Sequence, residues 1–413
     1  MTEPSLDERL RDLLPQLAAD VDAPSMARTA WTRARRVRRR RRVGTVGTFA
    51  LVTAVILMAS TGVPTLTPTT AGPAVPATAA DPSAVGTVTR APAPAAGWSG
   101  PQVQAAPAAT ALGTLPGLDT PLAALSRVPD SAPALSGDPV STVVAAVQRD
   151  EGPALVLGAD GRWRRVDDAP SSPGAGARLA PGSLSPDGRR LALYEANGIV
   201  LIDTTTGADR YLPVTGPVTR SGWSGVWFPD GDRVLVTGDG GTAVVSTVDG
   251  TVRIPEGRDY LDLVRGGPGG PSIELSATEL VVHPDVAAGA PAVAVPLATA
   301  GTAPMRDWYG LGHLDAGRVA RSGFTGGDRA QAVSIVDVAT GRLTDLLQLS
   351  YEGRRQGCCP TLGWLDGDTV LFRDGPRLLA WRPGAAMPLS RVAELPPGVT
   401  TVDVAPRRST PVG

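Results

Sequence analysis

Ser183-Leu-Ser-Pro-Asp-Gly188 is a tight Asp-Gly turn set just ahead of an apolar run, 190–194. Asp bonds its own backbone two residues on, and Gly takes the positive φ such a turn needs. The pattern returns along the chain. Trp227-Phe-Pro-Asp-Gly231 precedes 233–237, Leu314-Asp-Ala-Gly317 precedes Val319, and Trp364-Leu-Asp-Gly367 precedes 369–372. Each run is followed by another and by a second turn, at Thr206-Gly207, Asp249-Gly250, Thr340-Gly341 and Pro383-Gly384.

The spacing says what these hairpins build. Gly188 and Gly231 stand 43 residues apart, Gly317 and Gly367 stand 50 apart, and Gly231 and Gly317 stand 86 apart. The last gap is twice the first, which predicts a degenerate copy near residue 274, where 273–275 and 279–282 read as strands. Repeats of about 40–50 residues with four short strands are β-propeller blades. Before Ser183, 143–147, 154–157 and 163–166 supply only three strands. Thr401-Val-Asp-Val-Ala-Pro406 resembles the runs before the Asp-Gly turns, so a C-terminal strand completes the first blade and leaves no open edge. The expectation is an all-β, six-bladed propeller over residues 141–406: one blade split, four clear, one degenerate.

Ser-Pro-Asp-Gly-Arg-Arg-Leu-Ala at 185–192 resembles the repeat of TolB-type and WD-repeat-like bacterial propellers. The resemblance covers 141–406 and implies fold only; the Trp-Asp dipeptide of eukaryotic WD repeats is absent from it.

Upstream, the chemistry changes abruptly. The arginines from Arg33 to Arg42 (Arg33, Arg35, Arg36 and the run 38–42) abut residues 43–63, which carry no charge. As a helix, such a stretch spans roughly 31 Å, the thickness of a bilayer's hydrocarbon core. Arginine resists translocation, so residues 1–42 are expected in the cytoplasm, 43–63 as a transmembrane helix and the rest outside. The alternative is a cleaved signal peptide, against which stands a basic region far longer than secretion needs. The arginines meet lipid head groups, not nucleic acid, because they sit against the apolar span. Residues 64–140 contain 14 of the chain's 40 prolines and read as an extended linker rich in Pro, Ala and Thr.

Leu6, Leu10, Leu13, Leu14 and Leu17 fall on one helical stripe, with Ser5 and Glu8 as a capping box and Pro15 bending the helix. No domain lies beside them to bury the stripe. It either lies on the membrane or binds a cytoplasmic protein. Asp7, Glu8 and Asp12 favour the protein, since anionic lipid repels them. The layout resembles actinobacterial membrane proteins of the anti-sigma-factor type, which implies a sigma factor as that partner. The zinc-binding His and Cys of one such class are missing from 1–42.

Catalytic chemistry finds little support. Ser221-Gly-Trp-Ser-Gly225 lacks the strand–turn–helix setting of a nucleophile elbow. Arg265-Gly-Gly-Pro-Gly-Gly-Pro271 lacks the lysine of a phosphate loop. The recurring Asp187, Asp230, Asp315 and Asp366 are what turns require. With two cysteines and two histidines, His283 and His313, no metal cage or cofactor site is expected. Cys358 and Cys359 are adjacent, either free buried thiols or a vicinal disulfide. Trp223, Trp308 and Tyr309 stand in loops entering inner strands and are the ligand-face candidates; the other tryptophans pack between blades. The reading is a non-enzymatic, membrane-anchored propeller that binds an envelope ligand or protein. Its competitors are an extracellular scaffold with an inert anchor and, third, a propeller hydrolase or lyase.

Overall fold

The computed structural model describes residues 89–90, 98–150, 152–167, 177–195, 197–214, 224–238, 241–254, 263–276, 278–283, 292–298, 305–325, 331–350, 354 and 357–406. They belong to one compact unit, Val85–Gly413. The leucine stripe, the arginine cluster, the expected span and residues 64–88 lie outside the described residues. Among the described residues no helix is long and apolar enough to cross a membrane.

The turns form as their chemistry requires. Gly188, Gly231 and Gly317 adopt φ of 69°, 72° and 75°, and Gly207, Gly250, Gly341 and Gly384 lie between 65° and 78°. Asp187 Oδ1 accepts from the Arg189 N–H at 3.0 Å, Asp230 Oδ1 from Asp232 at 2.9 Å and Asp366 Oδ1 from Asp368 at 2.9 Å. Each turn launches its strand: Arg190–Glu195, Arg233–Gly238, Arg318–Thr325 and Thr369–Asp374.

The strands assemble into antiparallel meanders in a propeller-like arrangement. Four are separate sheets. Sheet I runs Val399–Val404, Val143–Arg149, Ala154–Gly158, Trp163–Arg165. Sheet II holds Arg190–Glu195, Gly198–Asp203 and Asp209–Pro213, with a bridge from Leu184 to Leu191 at its first edge. Sheet III runs Ser224–Trp227, Arg233–Gly238, Gly241–Ser246, Val252–Arg253. Sheet V runs Thr361–Asp366, Thr369–Asp374, Arg377–Trp381, Leu389–Glu394. Between III and V lies the ten-stranded sheet IV. One part is the meander Leu263–Arg265, Ser272–Leu275, Glu279–His283, Val293–Pro296. The other is Met305–Asp315, Arg318–Thr325, Gln331–Asp337, Leu343–Leu349. The two join through a short parallel pairing, Val264 with Gly312 and Arg265 with His313.

First strands meet first strands around the ring. Ser224–Trp227 touches Leu263–Arg265, Met305–Asp315 touches Thr361–Asp366, and Thr361–Asp366 touches Val399–Val404. The last strand pairs with Val143–Arg149, Val402 opposite Val147, so the chain's far end supplies the missing strand of sheet I as its sequence foretold.

Tryptophans sew neighbouring meanders together. The indole N–H of Trp227 donates to Ser183 O at 2.7 Å, that of Trp308 to Ser276 O at 2.8 Å, and that of Trp364 to His313 O at 2.9 Å. Arg190 covers the Trp227 ring at 5.4 Å and Arg318 covers Trp364 at 5.2 Å. Each indole thus buries its apolar body between sheets and satisfies its one donor.

The expected linker needs correction over its second half. Gln102–Ala105 adds a parallel strand to Leu343–Leu349, and residues Ala109–Thr114 and Pro121–Arg127 form 3₁₀ helices. Leu112 and Leu125 are 0 % exposed in cores formed by sheets I, IV and V. Trp381 fixes the added strand by donating to Gln104 Oε1 at 2.7 Å. Proline-rich sequence removes helical periodicity but does not prevent isolated leucines from docking.

Candidate functional site: the paired cysteines and Tyr309

A shift in register between Tyr309 and His313 bends the long strand Met305–Asp315, and Gly310 takes φ 67° at the bend. A Cβ at Gly310 would stand 3.3 Å from Pro360 Cβ, so the glycine lets the loop entering sheet V approach closely. That loop carries the cysteines.

Cys358 and Cys359 are joined as a vicinal disulfide, with Cα atoms 3.7 Å apart. Cys359 is fully buried beside Leu112, Trp364 and Phe372, and Cys358 is half-buried against the same cluster. The loop's backbone is held from sheet IV. Gln331, fully buried at the start of its strand, accepts through Oε1 from the N–H of Gly357 at 2.5 Å and of Cys358 at 3.1 Å. Ser322 Oγ donates to Cys359 O at 2.6 Å. The Tyr309 hydroxyl reaches the same Gln331 oxygen at a longer 3.4 Å, and its ring lies 4.9 Å from Phe324. One buried amide therefore links two features the sequence singled out separately, Tyr309 and the cysteine pair.

Beneath the disulfide lies a buried ion pair. Arg354 Nε donates to Asp374 Oδ2 at 2.7 Å, and their side chains are 0 % and 8 % exposed. Arg354 is further held by Ser350 O and Oγ, both at 3.2 Å, and by Pro107 O at 2.8 Å. The two Sγ atoms and an Asp374 carboxylate oxygen all lie within 4.8 Å of one another. Chemically the site offers a two-electron sulfur couple, a carboxylate and a half-buried phenol.

The other expected positions fall elsewhere. Trp308 is 4 % exposed and packs in the core of sheet IV, so its place on a ligand face is corrected: it is an inter-strand clasp. Trp223 lies outside the described residues. His283 Nε2 is 2.8 Å from Glu274 Oε1. His313 is buried on its inner strand and donates Nε2–H to Thr361 O at 3.1 Å. Burial, helped by the charges of Arg265 and Arg321, pushes its pKa down to about 3, so it stays neutral. Gln331, Asp374 and Arg354 had no signal in the sequence beyond being polar residues at strand ends and in a loop. On the outer side, two adjoining grooves of 530 and 500 Å³ meet at Glu394, flanked by Arg391 and Arg373.

Fold and site together define an all-β, propeller-like domain with a loop-borne disulfide. No protein-family model matches the chain, and no curated protein matches it in sequence. Among solved structures, it is similar to an oligogalacturonate lyase from Vibrio parahaemolyticus, at 11 % identity and TM-score 0.38, over 59 % of this chain and 71 % of that one. It is similar also to the extracellular domain of a one-component system from B. thetaiotaomicron, at 15 % identity and TM-score 0.35, over 67 % of this chain and 36 % of that one. A chain of a nidogen/laminin complex matches at 11 % identity and TM-score 0.37, over 65 % of this chain and 100 % of that one. Likeness this low says nothing of activity.

Proposed function

We propose that the chain is a single-span membrane protein whose outer domain is a six-bladed propeller that binds an envelope ligand or protein without catalysis. In this reading sheet IV is two blades, divided where Val264 meets Gly312, and Gln102–Ala105 and Thr89–Arg90 are strands added at the outer edges of those blades. Ligand meets the face that carries Tyr309 and the cysteine loop. The leucine stripe at residues 6–17 carries the signal to a cytoplasmic partner such as a sigma factor.

The observation that carries the reading is the bonded cysteine pair. Disulfides persist in oxidising compartments and are rare in the cytosol. Set beside an arginine cluster that precedes an uncharged stretch, it favours a cytoplasmic N-terminus and an outer C-terminal domain. The test is thiol labelling in intact cells with an impermeant maleimide, alongside a reporter fused at residue 1. The expected result is labelling after mild reduction, none before it, and a reporter active inside. Labelling that requires lysis would sink the topology. A soluble secreted chain starting after residue 63 would leave the propeller but remove the anchor.

A further inference from the structure

We propose that the reduced cysteine pair and Asp374 form a buried site for one thiophilic divalent ion, zinc or cadmium, and that the disulfide is its redox gate. The sequence argued against a metal cage because it counts only two cysteines and two distant histidines. The fold adds the third ligand. Asp374 ends its strand beneath the loop and brings a carboxylate oxygen within 4.8 Å of both sulfurs. Around a tetrahedral ion with bonds of about 2.0–2.3 Å, ligand atoms stand about 3.5–3.8 Å apart. The sulfurs must separate and the carboxylate must close in by about 1 Å. Gly357, at φ 71°, immediately precedes the pair.

Charge supports a divalent ion. In the oxidised state Asp374 and Arg354 cancel, and the buried site is neutral. Reduction by a dithiol adds two electrons and two protons: the S–S bond breaks, two thiols form, and the reductant leaves as its own disulfide. The site is still neutral. Ion binding then expels both thiol protons. Two thiolates and one carboxylate against Arg354 and a divalent cation again sum to zero, as a buried site requires. Arg354 holds Oδ2 and so keeps the carboxylate in place while the other oxygen ligates. Three protein ligands leave a fourth position for water or a bound molecule.

The test uses the full chain in detergent. It is reduced with a phosphine, which takes up the oxygen of water as it breaks the disulfide, then freed of reductant under nitrogen and titrated with cadmium. The ultraviolet thiolate-to-cadmium band reports this site alone, because the chain has two cysteines. The expected result is one ion per reduced chain, none per oxidised chain, with circular dichroism unchanged. Two displaced protons make the apparent affinity rise about a hundredfold per pH unit wherever both free thiols are protonated. Asp374→Asn should weaken binding at least tenfold. If that variant does not fold, the infrared difference spectrum of wild type on cadmium addition replaces it, and a carboxylate shift is expected. X-ray absorption of the zinc-loaded chain should count two sulfurs. Two titratable thiols with no band, a chain that unfolds on reduction, four sulfurs per ion, or no response of the carboxylate would overturn the proposal.

Discussion

Arg265 and Asp403, 138 residues apart in the chain, meet at 2.7 Å with side chains 0 % and 3 % exposed. Asp403 lies on the C-terminal strand and Arg265 on the first strand of sheet IV. Between them they also hold sheet II's first edge. Asp403 accepts from the N–H of Gly182 at 2.9 Å and of Leu184 at 2.7 Å, while Arg265 donates to Leu184 O at 2.5 Å and Val404 O at 2.8 Å. A side chain at Gly182 would stand 2.3 Å from Gly225 O, so this approach of backbones admits only glycine. The pair clasps the C-terminal strand to sheet IV and to the first edge of sheet II.

Breaking that clasp should cost more than an ordinary surface charge. Removing one partner leaves the other charge buried and uncompensated, about 3–5 kcal/mol. Asp403→Ala is expected to lower the free energy of unfolding by that much, read as a fall in the denaturant midpoint at unchanged slope. Replacing both, Asp403→Leu with Arg265→Met, should cost less than the sum of the single changes. Chemical unfolding of the three variants decides it, and additive losses would show that the two residues act separately.

His313 predicts a pH dependence with a definite sign. Its folded pKa lies near 3, below the unfolded value of about 6.5. Above pH 6.5 both states are neutral and the group contributes no slope. As pH falls from about 6.5 toward 3, the unfolded chain takes a proton that the folded chain refuses, and stability drops by up to about 1.4 kcal/mol per pH unit. The depressed carboxylates Asp160, Asp187, Asp249 and Asp366 lose their contribution mainly below about pH 4. Unfolding measured between pH 6.5 and 4.5 therefore isolates the histidine. His313→Gln keeps a donor for Thr361 O and should flatten the curve there. Parallel curves for the variant and wild type would refute the assignment.

Local chemistry was legible in the sequence, and long-range chemistry was not. Asp-Gly turns at 187–188 and 230–231 announce themselves because Asp and Gly bond and bend within three residues. The closing strand was legible because 401–406 repeats the pattern before those turns. The order of Gln102–Ala105 was hidden, since its partner lies more than 200 residues on and prolines erase its period. Trp308 and Tyr309, expected in a loop entering an inner strand, lie within the strand Met305–Asp315, which continues through the bend at Gly310. Gln331, which anchors the cysteine loop across sheets, carries no local mark at all.

The segment before residue 141 should matter to stability. Leu125 is 0 % exposed against sheets I and V, so Leu125→Ala is expected to cost about 2–5 kcal/mol. The same change at half-buried Leu115 or Leu118 would remove less area. Thermal melting of the variant checks it: an unchanged midpoint would return 98–140 to the role of a free linker.

The regulatory reading stands or falls on the N-terminus. The spacing of Leu6, Leu10, Leu13, Leu14 and Leu17 would put them on one face of a helix, and short helices are marginal in water without a partner to cover them. Burying one leucine on binding is worth about 1.5–3 kcal/mol. Two substitutions therefore weaken a micromolar contact beyond detection. Leu10→Asp with Leu14→Asp removes two apolar side chains from the stripe and adds charge to a segment already carrying Asp7, Glu8 and Asp12. If 43–63 spans the membrane as proposed, insertion should not change. The expected outcome is that wild type co-purifies from membranes with a sigma factor, and the double variant inserts equally but loses it. Equal recovery by both chains would leave the tail as an anchor only, and the outer domain would then be an extracellular scaffold.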